Sequence, residues 1–196
     1  MKQRTMRDRL SGLTFKFVDQ EPDKRLGELI LYVSERCGTD PFFGNTKLNK
    51  ILFYSDMLTY ANLGQPITGS EYMRLPNGPV PKHMKPVLEK MKARKDMVMV
   101  SRDFYRRTQH RVVPLREAKI DGLFTPTQIA WVERVIEALG HMSATQVSKR
   151  SHDRVWRIAD DKKSIPYEAI YLSDQDATPD DEARAHELAE KYSWDV

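Results

Sequence analysis

The sequence predicts an α+β fold that is mostly helical: a compact helical bundle around a buried central helix, with one small antiparallel β-hairpin. Three observations lead to this fold class. Apolar residues recur at helical spacing in several segments of the chain. One of those segments is apolar around nearly its whole circumference, which is typical of a buried helix. Two short runs rich in β-branched residues, at 97–100 and 111–115, favour a pair of strands.

The size and composition are those of a soluble, folded chain. The 196 residues favour one domain with a sizeable core, and 40% of them are hydrophobic. The single cysteine, Cys37, excludes an internal disulfide and fits a reducing compartment. No apolar run approaches the roughly 20 residues that span a bilayer. We therefore expect a cytoplasmic protein without a membrane segment.

The first two helices have recognisable starts and ends. Pro22 opens the first helix, and its apolar repeat stops near Cys37 and Gly38. Thr46 opens the second, which carries apolar residues on all sides and ends before Gly64 and Pro66. This second helix is the predicted centre of the bundle.

A proline-rich corner follows the second helix. Asn77 and Gly78 form a turn dipeptide, and Pro79 fits the first position of a new helix, where a missing N–H costs nothing. Pro86 lies inside the apolar stripe of that helix, so a kink or a second helix start is expected there. Because the segments on both sides have core-like patterns, the corner is interpreted as stiff rather than as a linker between domains.

The second half of the chain opens its helices with capping boxes. Thr125 and Ser143 each precede a glutamine by three residues, a pattern that caps a helix N-terminus. A short helix around Trp156, a turn that starts at Pro166, and a terminal helix that starts near Pro179 complete the prediction. We expect Trp131 and Trp156 to be mostly buried.

Charge is distributed unevenly along the chain. The net charge is +4, yet residues 174–196 hold eight acidic residues against two basic ones. Residues 82–111 hold ten basic residues against three acidic ones. This distribution indicates an acidic partner, either nucleic acid or an acidic protein face, and a merely solvated surface is the alternative.

Motifs for catalysis or metal binding are missing from the sequence. We find no phosphate-binding loop, no dinucleotide fingerprint, no nucleophile elbow and no zinc-protease motif. The five histidines are scattered, which does not suit a zinc site. His152 and Asp153 invite an acid–base interpretation, but a helix cap at Asp153 with a packed Trp156 is favoured. We expect no enzyme activity, no metal and no cofactor.

One pattern supports a second hypothesis. Residues 126–152 read as helix, turn and helix, and the second helix offers Ser, Thr, Gln, Lys and Arg side chains. The alternative function is therefore a helix-turn-helix-like, DNA-binding transcriptional regulator. The signal is weak because many antiparallel helix pairs look similar.

Several segments, taken in order, resemble the Panacea domain of the SocA-like antitoxins, also called phage-associated GepA-like. The resemblance covers roughly residues 24–172 and rests on a Lys-Leu-x-Lys helix, a Gly-Pro-Val segment and a Ser-His pair a few residues before a tryptophan. The sequence departs from the family where an aromatic residue commonly precedes Gly-Pro-Val, since "RLPN" stands there. The matching and structural residues are Lys47, Leu48, Lys50, Ser151, His152, Trp156, Pro166 and Tyr167.

The resemblance implies a non-catalytic antitoxin of a type II toxin–antitoxin system that binds a cognate protein toxin directly. One relative is described as an adaptor that hands its toxin to an energy-dependent protease. DNA binding through the predicted helix 143–152 is expected only as a secondary role. The implied divisions are a basic extension (1–22), the Panacea domain (23–173) and an acidic tail (174–196). The expected partner-binding residues lie on the corner and the hairpin: Gly78, Pro79, Val80, Lys82, Lys85, Arg102, Phe104, Tyr105, Arg106 and Arg107.

Overall fold

The computed structural model of the chain describes residues 5–7, 12–104, 107–152, 154–172 and 178–192. The fold is α+β and mostly helical. Seven α-helices lie within these residues: α1 (Pro22–Arg36), α2 (Asn45–Leu63), α3 (Met84–Ala93), α4 (Pro126–Gly140), α5 (Ala144–Arg150), α6 (Arg154–Arg157) and α7 (Pro179–Tyr192).

The described strands form three small antiparallel sheets, so the expectation of a single hairpin is wrong. The strands are β1 (Thr5–Arg7), β2 (Thr14–Phe17), β3 (Tyr72–Leu75), β4 (Gly78–Pro81), β5 (Met97–Phe104), β6 (Arg107–Pro114) and β7 (Ser164–Ile165). Strands β1 and β2 pair with each other, as do β5 and β6, and the third sheet has the order β4-β3-β7. Two short 3-10 helices, Val18–Gln20 and Tyr167–Tyr171, complete the described structure.

Helix α2 holds much of the core. Ten of its nineteen residues are buried, and it packs against α1, α4, α5 and β4. It ends at Gly64, which has a φ of 71° and donates its N–H to Tyr60 O at 2.8 Å. Glycine suits this position because the left-handed conformation carries no Cβ penalty there.

The two predicted capping boxes are confirmed. Thr125 caps α4 and Ser143 caps α5, each by accepting a hydrogen bond from the backbone N–H of the glutamine three residues later. Each glutamine side chain in turn accepts from the backbone N–H of its cap residue. These reciprocal bonds satisfy backbone donors at the helix N-terminus and so fix where each helix begins.

The proline-rich corner is a β-hairpin, and the predicted helix start at Pro79 is wrong. Strand β4 pairs with β3, and α3 begins only at Met84. Lys82 N donates to Glu71 O at 2.7 Å, so the residues of β4 that bond to β3 are those that alternate with Pro79 and Pro81. Both prolines therefore turn their nitrogens to the outer edge of the sheet, where no donor is needed.

Candidate functional site

Three sequence motifs meet beside the start of β4. Gly78 has a φ of 100°, and a Cβ added to it would lie 2.5 Å from Ser151 Oγ and 2.6 Å from Lys50 Nζ. Lys50 comes from the middle of α2 and Ser151 from the end of α5, and both are buried. Only a residue without a side chain fits there. The junction of Gly78, Lys50 and Ser151 therefore fixes the hairpin β3–β4 onto α2 and α5.

Lys50 places an ammonium group in this buried junction. Its described hydrogen bond is to Pro79 O, at 3.4 Å, and no carboxylate pairs with it among the residues that the structure describes. Burial lowers the pKa of Lys50 to about 7, because the charged form loses its water. The side chain of Lys50 therefore mainly fills space in the junction, and its charged form is energetically unfavourable there.

Lys47 is buried in a different way. Its Nζ donates to Asp40 Oδ2 at 2.6 Å, and to Gly140 O and Met142 O at 2.9 Å. All three donor positions of the ammonium are thus used. Lys47 ties the loop before α2 to the loop between α4 and α5, while its neighbour Leu48 fills the core.

Trp156 holds the outer side of the junction and is half-buried, so the expectation that it is mostly buried is wrong. Its Nε1 donates to Leu75 O at 3.2 Å, and its ring stacks on His152 with centroids 4.1 Å apart. The guanidinium of Arg74 lies 3.9 Å from the ring centroid. Trp131 is also half-buried rather than mostly buried. Asp153, expected to cap a helix, lies outside the described residues.

We expect Trp156→Ala to lower the free energy of unfolding by about 2 kcal/mol, less than a fully buried tryptophan would lose. The loss combines the stack, the cation–π contact and the bond to β3. Urea denaturation followed by circular dichroism measures it. Trp131→Ala is the matched control. The guanidinium of Arg134 lies 4.9 Å from the centroid of the Trp131 ring, so this variant should lose about 1 kcal/mol of unfolding free energy. Equal losses at the two positions would contradict the role assigned to Trp156.

Pro166 and Tyr167 anchor the end of the fold. Pro166 precedes the 3-10 helix, and Tyr167 is fully buried with its hydroxyl donating to Ser70 O at 2.6 Å. The ring of Tyr167 packs edge-on against Phe17, with centroids 5.3 Å apart. Residues just before α1 thus contribute to the core.

An open apolar groove lies next to the hairpin β3–β4. It has a volume of about 390 Å³ and runs between this hairpin, α3 and β5. Its apolar lining comes from all three elements: Met73, Leu75, Val80, Pro81, Met84, Leu88, Met97 and Met99. Charged residues form its rim: Lys82, Lys85, Glu89 and Lys92. Methionine side chains are flexible and polarizable, so such a lining can adapt to the shape of a partner.

The predicted partner-binding residues divide between different places. Val80, Lys82 and Lys85 lie at the groove, whereas Gly78 and Pro79 are buried beside it. The sequence interpretation missed the methionines of the groove, because they come from separate segments and read as ordinary core residues.

The arginine-rich hairpin uses part of its charge internally. Arg102 donates to Pro41 O at 2.8 Å and to Gln109 Oε1 at 2.7 Å, and Arg111 donates to Gly38 O at 2.9 Å. The ring of Phe104 packs edge-on against Phe42. Since side chains alternate along a strand, Arg102 and Phe104 face away from the groove that Met97 and Met99 line.

Tyr105 and Arg106 lie outside the described residues, as does the side chain of Arg107. Helix α5, the predicted recognition helix of the alternative function, packs against α2 through the buried Val147 and exposes Lys149 and Arg150.

In the described part of the chain, no three His, Cys, Asp or Glu residues are placed to hold a metal ion. Burial raises the pKa of Cys37 to about 11, so its thiolate is scarce near neutral pH. Among the described helices, none is long and apolar enough to pass through a bilayer.

Comparison with known proteins gives one match. The family model for "Antitoxin SocA-like, Panacea domain" matches residues 48–157, which is more than half of the chain. The match includes the groove, the hairpin β5–β6 and the junction of Lys50, Gly78 and Ser151. No curated protein and no solved structure matches the chain.

Proposed function

Since the chain belongs to the family of SocA-like antitoxins with a Panacea domain, we propose that it is the antitoxin of a type II toxin–antitoxin pair and neutralises a cognate protein toxin by direct binding. The observation that carries the proposal is the open, methionine-lined groove between β4, α3 and β5. Exposed apolar surface that is contiguous and has a charged rim is typical of a protein-binding site.

The groove is built on rigid supports. The hairpin β3–β4 is fixed by the junction at Gly78, and α3 packs its buried face, which includes Val87 and Met91, against the core. A preformed surface loses little conformational entropy when a partner docks, so more of the contact energy appears as affinity.

The rim of the groove sets the chemistry of the toxin surface. Lys85 and Lys92 are exposed beside the apolar floor, and Lys82 is 44% exposed although it pairs with Glu71 at 2.7 Å. Complementary charge steers association and selects partners, so the toxin face should be apolar at its centre and acidic at its edges.

The proposal is tested with the product of the neighbouring reading frame. That product should arrest growth when it is expressed alone and should be harmless when it is expressed with this chain. The two proteins should also co-purify. A neighbour that is harmless alone, or that stays lethal in the presence of this chain without binding it, would overturn the proposed function.

Reversing the rim charges should weaken the complex. We expect the double variant Lys85→Glu/Lys92→Glu to bind the toxin about tenfold or more weakly, mainly at low salt, because two favourable charge contacts become repulsive. The control is Lys90→Glu, compared with each single variant so that the change in net charge is equal: Lys90 is exposed on the same helix but lines a different cleft. Isothermal titration of the purified proteins measures both. An equal loss for the control would assign the effect to net charge rather than to the groove.

A further inference from the structure

Strand β5 has one edge without a strand partner in the described parts of the chain. It pairs with β6 alone, in a two-stranded sheet. The outer edge of β6 is covered differently: Gly44 approaches it so closely that an added Cβ would lie 3.1 Å from His110 O. The open edge of this hairpin is therefore that of β5 from Met99 onward, since Met97 is only 2% exposed.

The register shows which backbone groups face this edge. Leu115 N donates to Asp96 O at 2.9 Å, so the residues of β5 that bond to β6 recur at every second position from Asp96. The intervening residues turn their N–H and C=O groups outward: Met97, Met99, Ser101 and Asp103. Pro114 lies opposite Met97, which agrees with this assignment because proline has no N–H to donate.

The edge of β5 lacks the usual protection. Natural sheets protect an open edge with proline, lysine, a bulge or a very short strand. Strand β4 has two prolines at its outer edge, whereas residues 97–101 of β5 contain neither proline nor lysine. Val98 and Val100 are 38% and 42% exposed, so the strand is apolar on its solvent face too. Such an edge is suited to accept another strand.

Resting on the proposed antitoxin function, we propose that an extended segment of the toxin pairs with the outer edge of β5 as an added strand. Main-chain hydrogen bonds to Met99 and Ser101 supply the pairing. Alternate side chains of the added strand point to the face that Met97 and Met99 share, and so enter the groove. Acidic residues flanking the segment meet Lys82, Lys85 and Lys92.

The charge of this surface argues against a second copy of this chain as the occupant. Residues 82–111, which include β5 and the rim of the groove, hold ten basic residues against three acidic ones. Two such surfaces would repel each other, and an acidic strand is the complementary occupant.

Amide hydrogen exchange of the labelled chain, alone and with the purified toxin, tests the pairing directly. We expect the amides of Met99, Ser101 and Asp103 to gain at least tenfold protection in the complex. The amides of Val98, Val100 and Arg102 are already bonded to β6 and should change less. A complex in which the outward amides exchange as fast as in the free chain would overturn strand addition and leave the antitoxin function intact.

A proline substitution provides the matching binding test. Ser101→Pro removes one outward N–H without removing a main-chain bond to β6, so it should weaken toxin binding at least tenfold. It also removes the hydrogen bond between Ser101 Oγ and His110 Nδ1, at 2.8 Å, which Ser101→Ala removes equally. Ser101→Ala removes only the hydroxyl and should bind within twofold of the original chain. Wild-type affinity for Ser101→Pro would overturn the proposal, and should that variant fail to fold, the exchange experiment decides. Two other exchange results would also overturn strand addition by the toxin. One is protection of the outward β5 amides in a dimer of the chain without toxin, and the other is their protection by DNA instead of toxin.

Discussion

Gly78→Ala lowers the free energy of unfolding by about 3 kcal/mol, since two costs add. A φ of 100° is unfavourable for any residue with a Cβ, by about 1–2 kcal/mol. The new methyl group would also overlap Lys50 and Ser151, and overpacking of a filled site costs about 1–3 kcal/mol. Urea denaturation at equilibrium measures the loss.

Gly64→Ala separates the two costs. Gly64 also has a positive φ, 71°, but a Cβ there would find no atom within 4 Å. This control should lose only about 1 kcal/mol, from backbone strain alone. The difference between the two variants is the packing cost at the junction, and equal losses would show that the junction is not tightly filled.

Removal of Ser151 Oγ should relieve part of that cost. In a Ser151→Ala background, the loss caused by Gly78→Ala should shrink by about 1 kcal/mol, because residues in contact couple energetically. Full additivity of the two substitutions would place the serine hydroxyl away from the added methyl group.

The helices that carry their own start signals could be predicted from the sequence. Thr125 and Ser143 hold their capping boxes within four residues, so local chemistry decides where α4 and α5 begin. The β-rich runs at 97–100 and 111–115 likewise predicted the hairpin β5–β6, although its strands extend further through the arginine-rich stretch.

The Gly-Pro-Val-Pro segment could not be assigned from local signals alone. Proline at the first turn of a helix and proline on an edge strand are both acceptable, and both leave a turn at Asn77 and Gly78. Pairing with Tyr72–Leu75, and the contact of Gly78 with Lys50, decide in favour of a strand. These interactions join residues that are far apart in the chain, so they depend on the tertiary structure.

Only part of the candidate site could be predicted, because its other residues also come together through the tertiary structure. Val80, Lys82 and Lys85 follow one another closely and were expected to contact a partner. The floor of the groove instead combines Met73 with Met97 and Met99, which come together only when α3 packs on the core. The burial of Lys47 and Lys50 could not be predicted from the sequence either, because a lysine in a helix is ordinarily exposed.

The stability of the chain should depend on pH through Lys50, and Lys50→Met should remove that dependence. The pKa of Lys50 is lowered from 10.5 to about 7 in the folded state. Between these values the unfolded chain binds a proton that the folded chain does not, so stability falls as the pH drops from 10.5 to 7. Below pH 7 both states are protonated, and the penalty stays constant at roughly 5 kcal/mol.

Methionine has nearly the shape of lysine and carries no charge, so Lys50→Met should be more stable than the original chain at pH 6 by several kcal/mol. The gap should close by about 1.4 kcal/mol for each pH unit above 7. Urea denaturation of both proteins at pH 6, 7.5 and 9 measures it, and the difference between them cancels groups that titrate equally in both.

Lys47→Met is the control with the opposite sign. Lys47 is as buried as Lys50, but its ammonium is bonded to Asp40 and two carbonyl oxygens. Its removal leaves those acceptors without a partner and should cost about 3 kcal/mol at pH 6. If Lys50→Met were destabilising to the same extent, the charge of Lys50 would have a compensating partner. The pKa of Lys50 would then not be lowered in the folded state. Opposite signs at two lysines three residues apart would show that the partner, rather than burial itself, decides the energy of a buried charge in α2.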